Sequence, residues 1–205
     1  MTPTSVPPFS DLLSPSRRAP GAVLTYRLAV MRHAKSSYPP TVDDHDRPLS
    51  PRGVADARTA GQWIRENLPM PDHVVVSTAR RARGTWTVAA APLGYIGAAG
   101  YDAASPGALT IDPRIYDADP QRLLEVVRDL PPRARTAILV GHCPGVEDLV
   151  HLLAGSWDGP AKERLDAKFP TAAIAVLSFP GPWPELGADT ARLDEFAVPR
   201  ADLPD

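Results

Sequence analysis

The chain has 205 residues, 43% of them hydrophobic and 22% charged, which is ordinary for a soluble protein with one substantial core. Its 22 basic and 24 acidic side chains leave no bulk positive field for nucleic acid or an anionic membrane, so any anion site must be a local concentration of cations. A single cysteine, Cys143, rules out an internal disulfide and a multi-cysteine metal centre, which fits a reducing, cytoplasmic setting.

No apolar run reaches the roughly 18 residues of a membrane span. Residues 1–22 are rich in Pro and Ser, lack an apolar core and read as a disordered lead rather than a secretory signal. The 25 prolines gather at the two ends and in loops, where they act as punctuation. One domain is expected over 23–199, followed by a polar tail over 200–205.

Val23 to Met31 is the first strand, and its Leu28-Ala29-Val30-Met31 is an uninterrupted apolar run, the pattern of a strand buried on both faces. It stops at Arg32 and His33, and a loop follows to Pro40. After the charged segment Asp43-Asp44-His45-Asp46-Arg47, Ser50 and Pro51 supply a cap and a first helical position. Val54, Ala57, Gly61, Ile64 and Leu68 then form a helical stripe that ends near Pro69. Asp72 to Ser77 is a second strand, and Ser77-Thr78 is read as the cap of a helix running through Arg81 and Thr85 to about Ala91. The span from Pro92 to Pro113 gives no clear assignment.

Asp119-Pro120 opens a third helix on Leu123, Val127 and Leu130, and Arg135 to Gly141 is a third buried strand. Pro144 to Ala154 is helical, and the stretch holding Lys162, Glu163 and Arg164 reads as a polar connection. Ala172 to Phe179 is a strand and Ala191 to Val198 an edge strand with alternation. This order implies an α/β fold, a three-layer α/β/α sandwich with a mostly parallel central sheet.

Three strand ends carry the chemistry: Arg32-His33, Ser77 to Arg81, and Gly141-His142. If these strands are parallel neighbours, their ends open on one side of the sheet, where open α/β sheets bind ligands. Arginine forks suit phosphate, and histidine serves as nucleophile or proton carrier near neutral pH. Taken singly, each has an ordinary structural explanation; together they suggest phosphoryl transfer.

The segments Arg32-His33-Ala34, Arg47-Pro48-Leu49-Ser50-Pro51-Arg52-Gly53, Ser77 to Thr85 and Gly141-His142-Cys143-Pro144-Gly145 resemble the ordered motifs of the histidine phosphatase superfamily. They are most similar to its short branch typified by the phosphohistidine phosphatase SixA. The resemblance covers roughly Leu24 to Phe179 and implies a phosphoglycerate mutase-like fold. It also implies that His33 is a nucleophile phosphorylated in the reaction, with Arg32, Arg81 and His142 around the phosphoryl group and no metal or cofactor. Neutral imidazole attack and fixed cations on developing charge make that chemistry sound. His33 must then be unprotonated on its attacking nitrogen while His142 works as a protonated donor, so their pKa values should be pushed apart.

Ala34 stands where the family has glycine, which would be strained if the turn needs a positive φ. Arg81 is preferred over Arg80 because it alone fits the Ser-x-x-x-Arg-Ala-x-x-Thr register from Ser77. No acidic residue falls between Asp72 and Asp102, so the glutamate acid of the phosphoglycerate mutases is missing or displaced. Asp43, Asp44 and Asp46 are the carboxylates able to lean over the site.

Ser36 and Lys35 either line the phosphate pocket or finish a turn, and Arg47 either contacts substrate or braces its loop on nearby carboxylates. His45, His73 and His151 are read as surface or loop residues, Trp63 and Trp86 as core, and Cys143 as a packed small side chain.

The expected activity is metal-independent hydrolysis of phosphohistidine, or a similarly labile phosphoryl group, on a protein. The alternatives are a phosphatase or mutase acting on a small phosphorylated metabolite, a non-catalytic phosphate-binding scaffold, and a metallohydrolase built on His45 with Asp43, Asp44 or Asp46. The last is disfavoured because no two histidines have familiar ligand spacing.

Overall fold

A computed structural model describes residues 25–94 and 108–202. The proposed lead lies outside them, as does most of the unassigned stretch before Pro113. Among the described residues a seven-stranded sheet has the order β3-β2-β4-β1-β6-β7-β5. The strands are β1 (Tyr26–Arg32), β2 (His73–Ser77), β3 (Ala108–Asp112), β4 (Thr136–Gly141), β5 (Ala154–Trp157), β6 (Ile174–Phe179) and β7 (Ala191–Ala197). The helices are α1 (Pro51–Asn67), α2 (Arg80–Ala90), α3 (Pro120–Arg128), α4 (Gly145–Leu153) and α5 (Gly159–Ala167).

Adjacent strands β3, β2, β4 and β1 all run parallel, while β6 is antiparallel to β1 and to β7. Strand β1 explains the layering. Its Leu28 and Val30 face one apolar cluster with Leu123, Val127, Val146, Leu149 and Leu165, which come from α3, α4 and α5. Its Ala29 and Met31 face a second cluster with Ala57, Ile64, Trp86 and Ala89, from α1 and α2. A central strand covered on both faces is apolar where it is covered, which is why Leu28 to Met31 reads as a run and not an alternation.

Several expectations are corrected. The polar connection containing Lys162 folds as α5, which buries only Ala161 and Leu165, so its sequence shows no continuous stripe. Strands β3 and β5 form the two sheet edges, and β7 is an inner strand because β5 pairs alongside it. Helix α2 starts from Ala79 without a side-chain cap, and Ser77 ends β2 instead. Val54 is exposed on α1, Trp63 is only partly buried, and His73 is a buried strand residue bonded to Thr110 Oγ1 at 3.0 Å.

The start of α1 follows the expected pattern, with Ser50 Oγ accepting from the Gly53 amide at 3.1 Å and Pro51 in the first turn. The Ser50 amide also donates to the Lys35 carbonyl at 2.9 Å, which docks α1 on the loop leaving β1. A Cβ at Gly53 would lie 1.9 Å from that carbonyl oxygen, so only glycine allows the approach. Asp56, almost fully buried on α1, receives Arg52, Arg200 and the Ala201 amide, so the described part of the tail is held against the domain.

Candidate active site

The C-terminal ends of β1, β2, β3 and β4 open on one side of the sheet, as the pairing of Arg32 with Gly141 and of Ser77 with Asp112 requires. His33 follows β1, its amide donating to the Gly141 carbonyl at 2.9 Å. The next amide, of Ala34, donates to Thr85 Oγ1 at 2.9 Å, tying the turn to α2. Ala34 is fully buried and is not among the residues with positive φ, so alanine fits this turn without strain.

The side chain of His33 is buried and held by two contacts. Its Nδ1–H donates to the Ala34 carbonyl at 2.8 Å, and its Nε2 accepts from Arg81 Nε at 3.2 Å. Carbonyl oxygen only accepts, so the proton belongs on Nδ1 and the lone pair on Nε2. Burial, reinforced by the guanidinium groups of Arg81, Arg32 and Arg47, pushes the His33 pKa down to about 4.

Arg81 is buried in the first turn of α2 beside His33, whereas Arg80 is exposed. Arg32 donates from Nη1 to the Phe169 carbonyl at 2.7 Å, and its buried Nε has no hydrogen-bond partner. His142 lies with its ring centroid 5.0 Å from that of His33, and its Nε2 is 2.8 Å from Ser77 Oγ. Ser77 Oγ accepts from the Ala79 amide, so its own hydrogen is free for His142. The buried His142 Nδ1 is unpartnered.

The expected separation of the two imidazole pKa values is not found: His142 is also pushed down, to about 3, by burial and then by His33 and Arg81. Two imidazoles buried beside guanidinium groups are both disfavoured as cations, and the Asp44 carboxylate offsets this only in part at His142.

The remaining predicted residues divide into a second tier. Ser36 is buried and hydrogen-bonded by Arg47 Nη2; Arg47 also donates to the Ser37 carbonyl at 3.1 Å and pairs with Asp44 at 2.6 Å. Both brace the loop after His33, and Lys35 points outward. Of the three candidate carboxylates, Asp44 reaches the site. It accepts from Arg81 Nη2 at 2.9 Å and from the Tyr116 hydroxyl at 2.9 Å. Although partial burial opposes it, bonding from Tyr116, Arg47 and Arg81 holds the Asp44 carboxyl down to about 2. It is an anion at neutral pH, not a ready acid.

Tyr116 was not legible in the sequence. It follows β3, the strand hidden in the unassigned span, and its ring meets those of His142 and His45 edge-on at 5.6 and 4.9 Å. His45 is thus a pocket-side residue, with Nε2 3.0 Å from Thr78 Oγ1, whereas His151 is exposed. Cys143 packs against the core, and burial pushes its thiol up to about 11, as an unreactive side chain requires. The described residues contain no cluster of three or more His, Cys, Asp or Glu able to hold a metal ion, and no helix long and apolar enough to cross a membrane.

Comparison with known proteins points to one family. Residues 28–99 match the family model of the histidine phosphatase superfamily, branch 1. The uncharacterized protein Rv1276c of Mycobacterium tuberculosis is 41% identical over 172 residues, covering 83% of this chain and all of the relative; ML1117 of Mycobacterium leprae is 38% identical with the same coverage. Among solved structures, the "Putative Phosphohistidine Phosphatase SixA" from Nakamurella multipartitia superimposes with a TM-score of 0.71 at 32% identity, over 85% of this chain and 96% of that one. A SixA structure from Agrobacterium tumefaciens shows the same fold, with a TM-score of 0.68 at 24% identity over 85% and 98% of the two chains. The matches to the family model and to a SixA structure over nearly its whole length place this chain in the histidine phosphatase superfamily, in its SixA-like branch.

Proposed function

We propose that the protein is a metal-independent phosphatase that removes the phosphoryl group from phosphohistidine, or a similarly labile phosphoramidate, on a protein. The observation that carries this reading is the state of His33: neutral, with Nδ1–H spent on the Ala34 carbonyl and the Nε2 lone pair directed at the Arg81 guanidinium.

In the first step Nε2 attacks phosphorus, a N–P bond forms to His33, and the bond to the leaving group breaks with the electron pair going to that group. Arg81 and Arg32 hold the equatorial oxygens, to which the spare Arg32 Nε and His142 Nδ1 add hydrogen-bonding capacity. The phosphoryl charge supplies the counter-anion that raises His142 toward its protonated form. Water then attacks phosphorus from the vacated side, the N–P bond breaks, and inorganic phosphate leaves with His33 restored.

The ionised, salt-bridged Asp44 supports a labile substrate, because a phosphoramidate nitrogen takes its proton readily and asks little of an enzymic acid. The test is turnover of a phosphohistidine-bearing protein and of a chromogenic aryl phosphate in the presence of chelator. His33→Ala should abolish both, and labelled phosphate should be trapped on wild type at an acid-labile, base-stable position. Turnover by the variant removes the nucleophile, and loss of wild-type activity on chelation removes metal independence. Faster turnover of sugar phosphates than of the phosphohistidine protein would point to the small-metabolite alternative.

A further inference from the structure

Beside His142 lies a cavity of about 110 Å³ whose lining includes Arg81, Asp44, Asp117 and Tyr116. Its charges are sorted. Arg81 and His142 belong to the cluster around His33, which is the side that takes the phosphoryl oxygens under the reading above. Asp44, Tyr116 and Asp117 are the more exposed members. The Asp44 side chain is 52% exposed, and Asp117 is exposed with no ion-pair partner among the described residues.

Asp44 is already paired with Arg81 and Arg47, so Asp117 is the uncompensated carboxylate at this cavity, and a carboxylate beside an anion site penalises a substrate that carries further negative charge. Tyr116 adds an aromatic ring between them in the chain and at the same cavity, and carboxylates with an aromatic face are the chemistry that recognises an organic cation. In-line transfer fixes the direction of the leaving group, which must lie on the side of phosphorus opposite His33 Nε2. Under the reading above, that side is taken to be the exposed part of the cavity, where Asp44 and Asp117 lie.

From this juxtaposition we propose that Asp44, Asp117 and Tyr116 form a leaving-group subsite selective for phosphoryl donors whose leaving group carries positive charge, the class that includes phosphorylated basic side chains. The proposal rests on the phosphatase reading for the position of the phosphoryl group and extends it to the residues that read what the phosphoryl group is attached to. Asp117 is the cleaner probe, because Asp44 also braces Arg81 and Arg47.

The experiment compares 4-(trimethylammonio)phenyl phosphate with 4-carboxyphenyl phosphate on the full chain, as wild type, Asp117→Asn, Asp44→Asn and the double variant. Intrinsic leaving-group reactivity cancels when the ratio of the two kcat/KM values is compared between proteins. The wild-type ratio should favour the cationic compound; Asp117→Asn should lower it by about threefold or more, and the double variant by about tenfold or more, toward parity. A wild-type preference for the anionic compound, or a ratio unchanged within twofold in all three variants, overturns the proposal.

The same two compounds are titrated calorimetrically into His33→Ala protein with and without Asp117→Asn, so that recognition is read without turnover. If wild type turns over neither compound but the affinity ratio responds to Asp117, the subsite stands and the phosphatase reading falls. If turnover depends on His33 but neither ratio responds, the phosphatase reading stands and the subsite falls.

Discussion

The imidazole of His33 is committed to one tautomer by its own backbone neighbour, and this has a measurable consequence. Attack requires neutral Nε2, and burial beside three guanidinium groups keeps the free site neutral down to about pH 4. After correction for the substrate's own ionisation, kcat/KM should stay level from pH 7 to about 5 and fall only toward pH 4, instead of falling below the ordinary histidine value near 6.5. Arg81→Ala should lower kcat/KM by about 10²–10³-fold, as loss of a preorganised charge does, while Arg80→Ala should stay within about threefold. The sequence prefers Arg81 because only it fits the register with Ser77 and Thr85, and it is the one of the two that is buried against His33. The same register concealed a second role: Ser77 looked like a helix cap, whereas its hydroxyl serves His142. Sequence gives the residue type at a strand end, but not which of two nearby acceptors a hydroxyl will meet.

Elements differ in how clearly their sequences announce them, and burial on both faces decides it. Strands β1, β2 and β4 are buried along nearly their whole length, so they appear as apolar runs. Strands β3 and β5 are edge strands with exposed interior residues, and α5 buries two side chains, so none has a pattern to read. Packing between elements is sharper than pattern. A Cβ at Gly61 would lie 2.1 Å from the Ala89 carbonyl oxygen where α1 crosses α2, so Gly61→Ala should cost about 1–3 kcal/mol in urea unfolding. Gly159→Ala, with no atom within 4 Å of the new methyl, should be neutral within about 0.5 kcal/mol. The first substitution should also lower activity, because α2 carries Arg81 and Thr85, and the second should not.

For the whole molecule, the depressed imidazoles of His33 and His142, with buried His73 lowered as well, make stability follow pH. Above pH 6.5 both histidines are neutral folded or unfolded and contribute no slope. As pH falls below 6.5 the unfolded chain binds protons that the folded state refuses, until about pH 4 at His33 and about pH 3 at His142. Stability should therefore fall between pH 6.5 and 4, by at most about 1.4 kcal/mol per pH unit for each imidazole. Thermal melts should record a lower Tm at pH 4.5 than at pH 7, with a shallower fall for His142→Gln. An equal slope in that variant would assign the acid sensitivity elsewhere.

The sequence by itself determined the sandwich and its parallel core and nominated His33, Arg32, Arg81 and His142 as the proposed site, because those depend on local signals: apolar runs, helix starts and the residue that ends each strand. Tertiary structure alone decided the position of Tyr116 and Asp117, the selection of Asp44 from three neighbouring aspartates, and the shared low pKa of both histidines. These depend on distances between segments far apart in the chain and on how much water they exclude, and neither quantity is carried by the order of residues along one strand or helix.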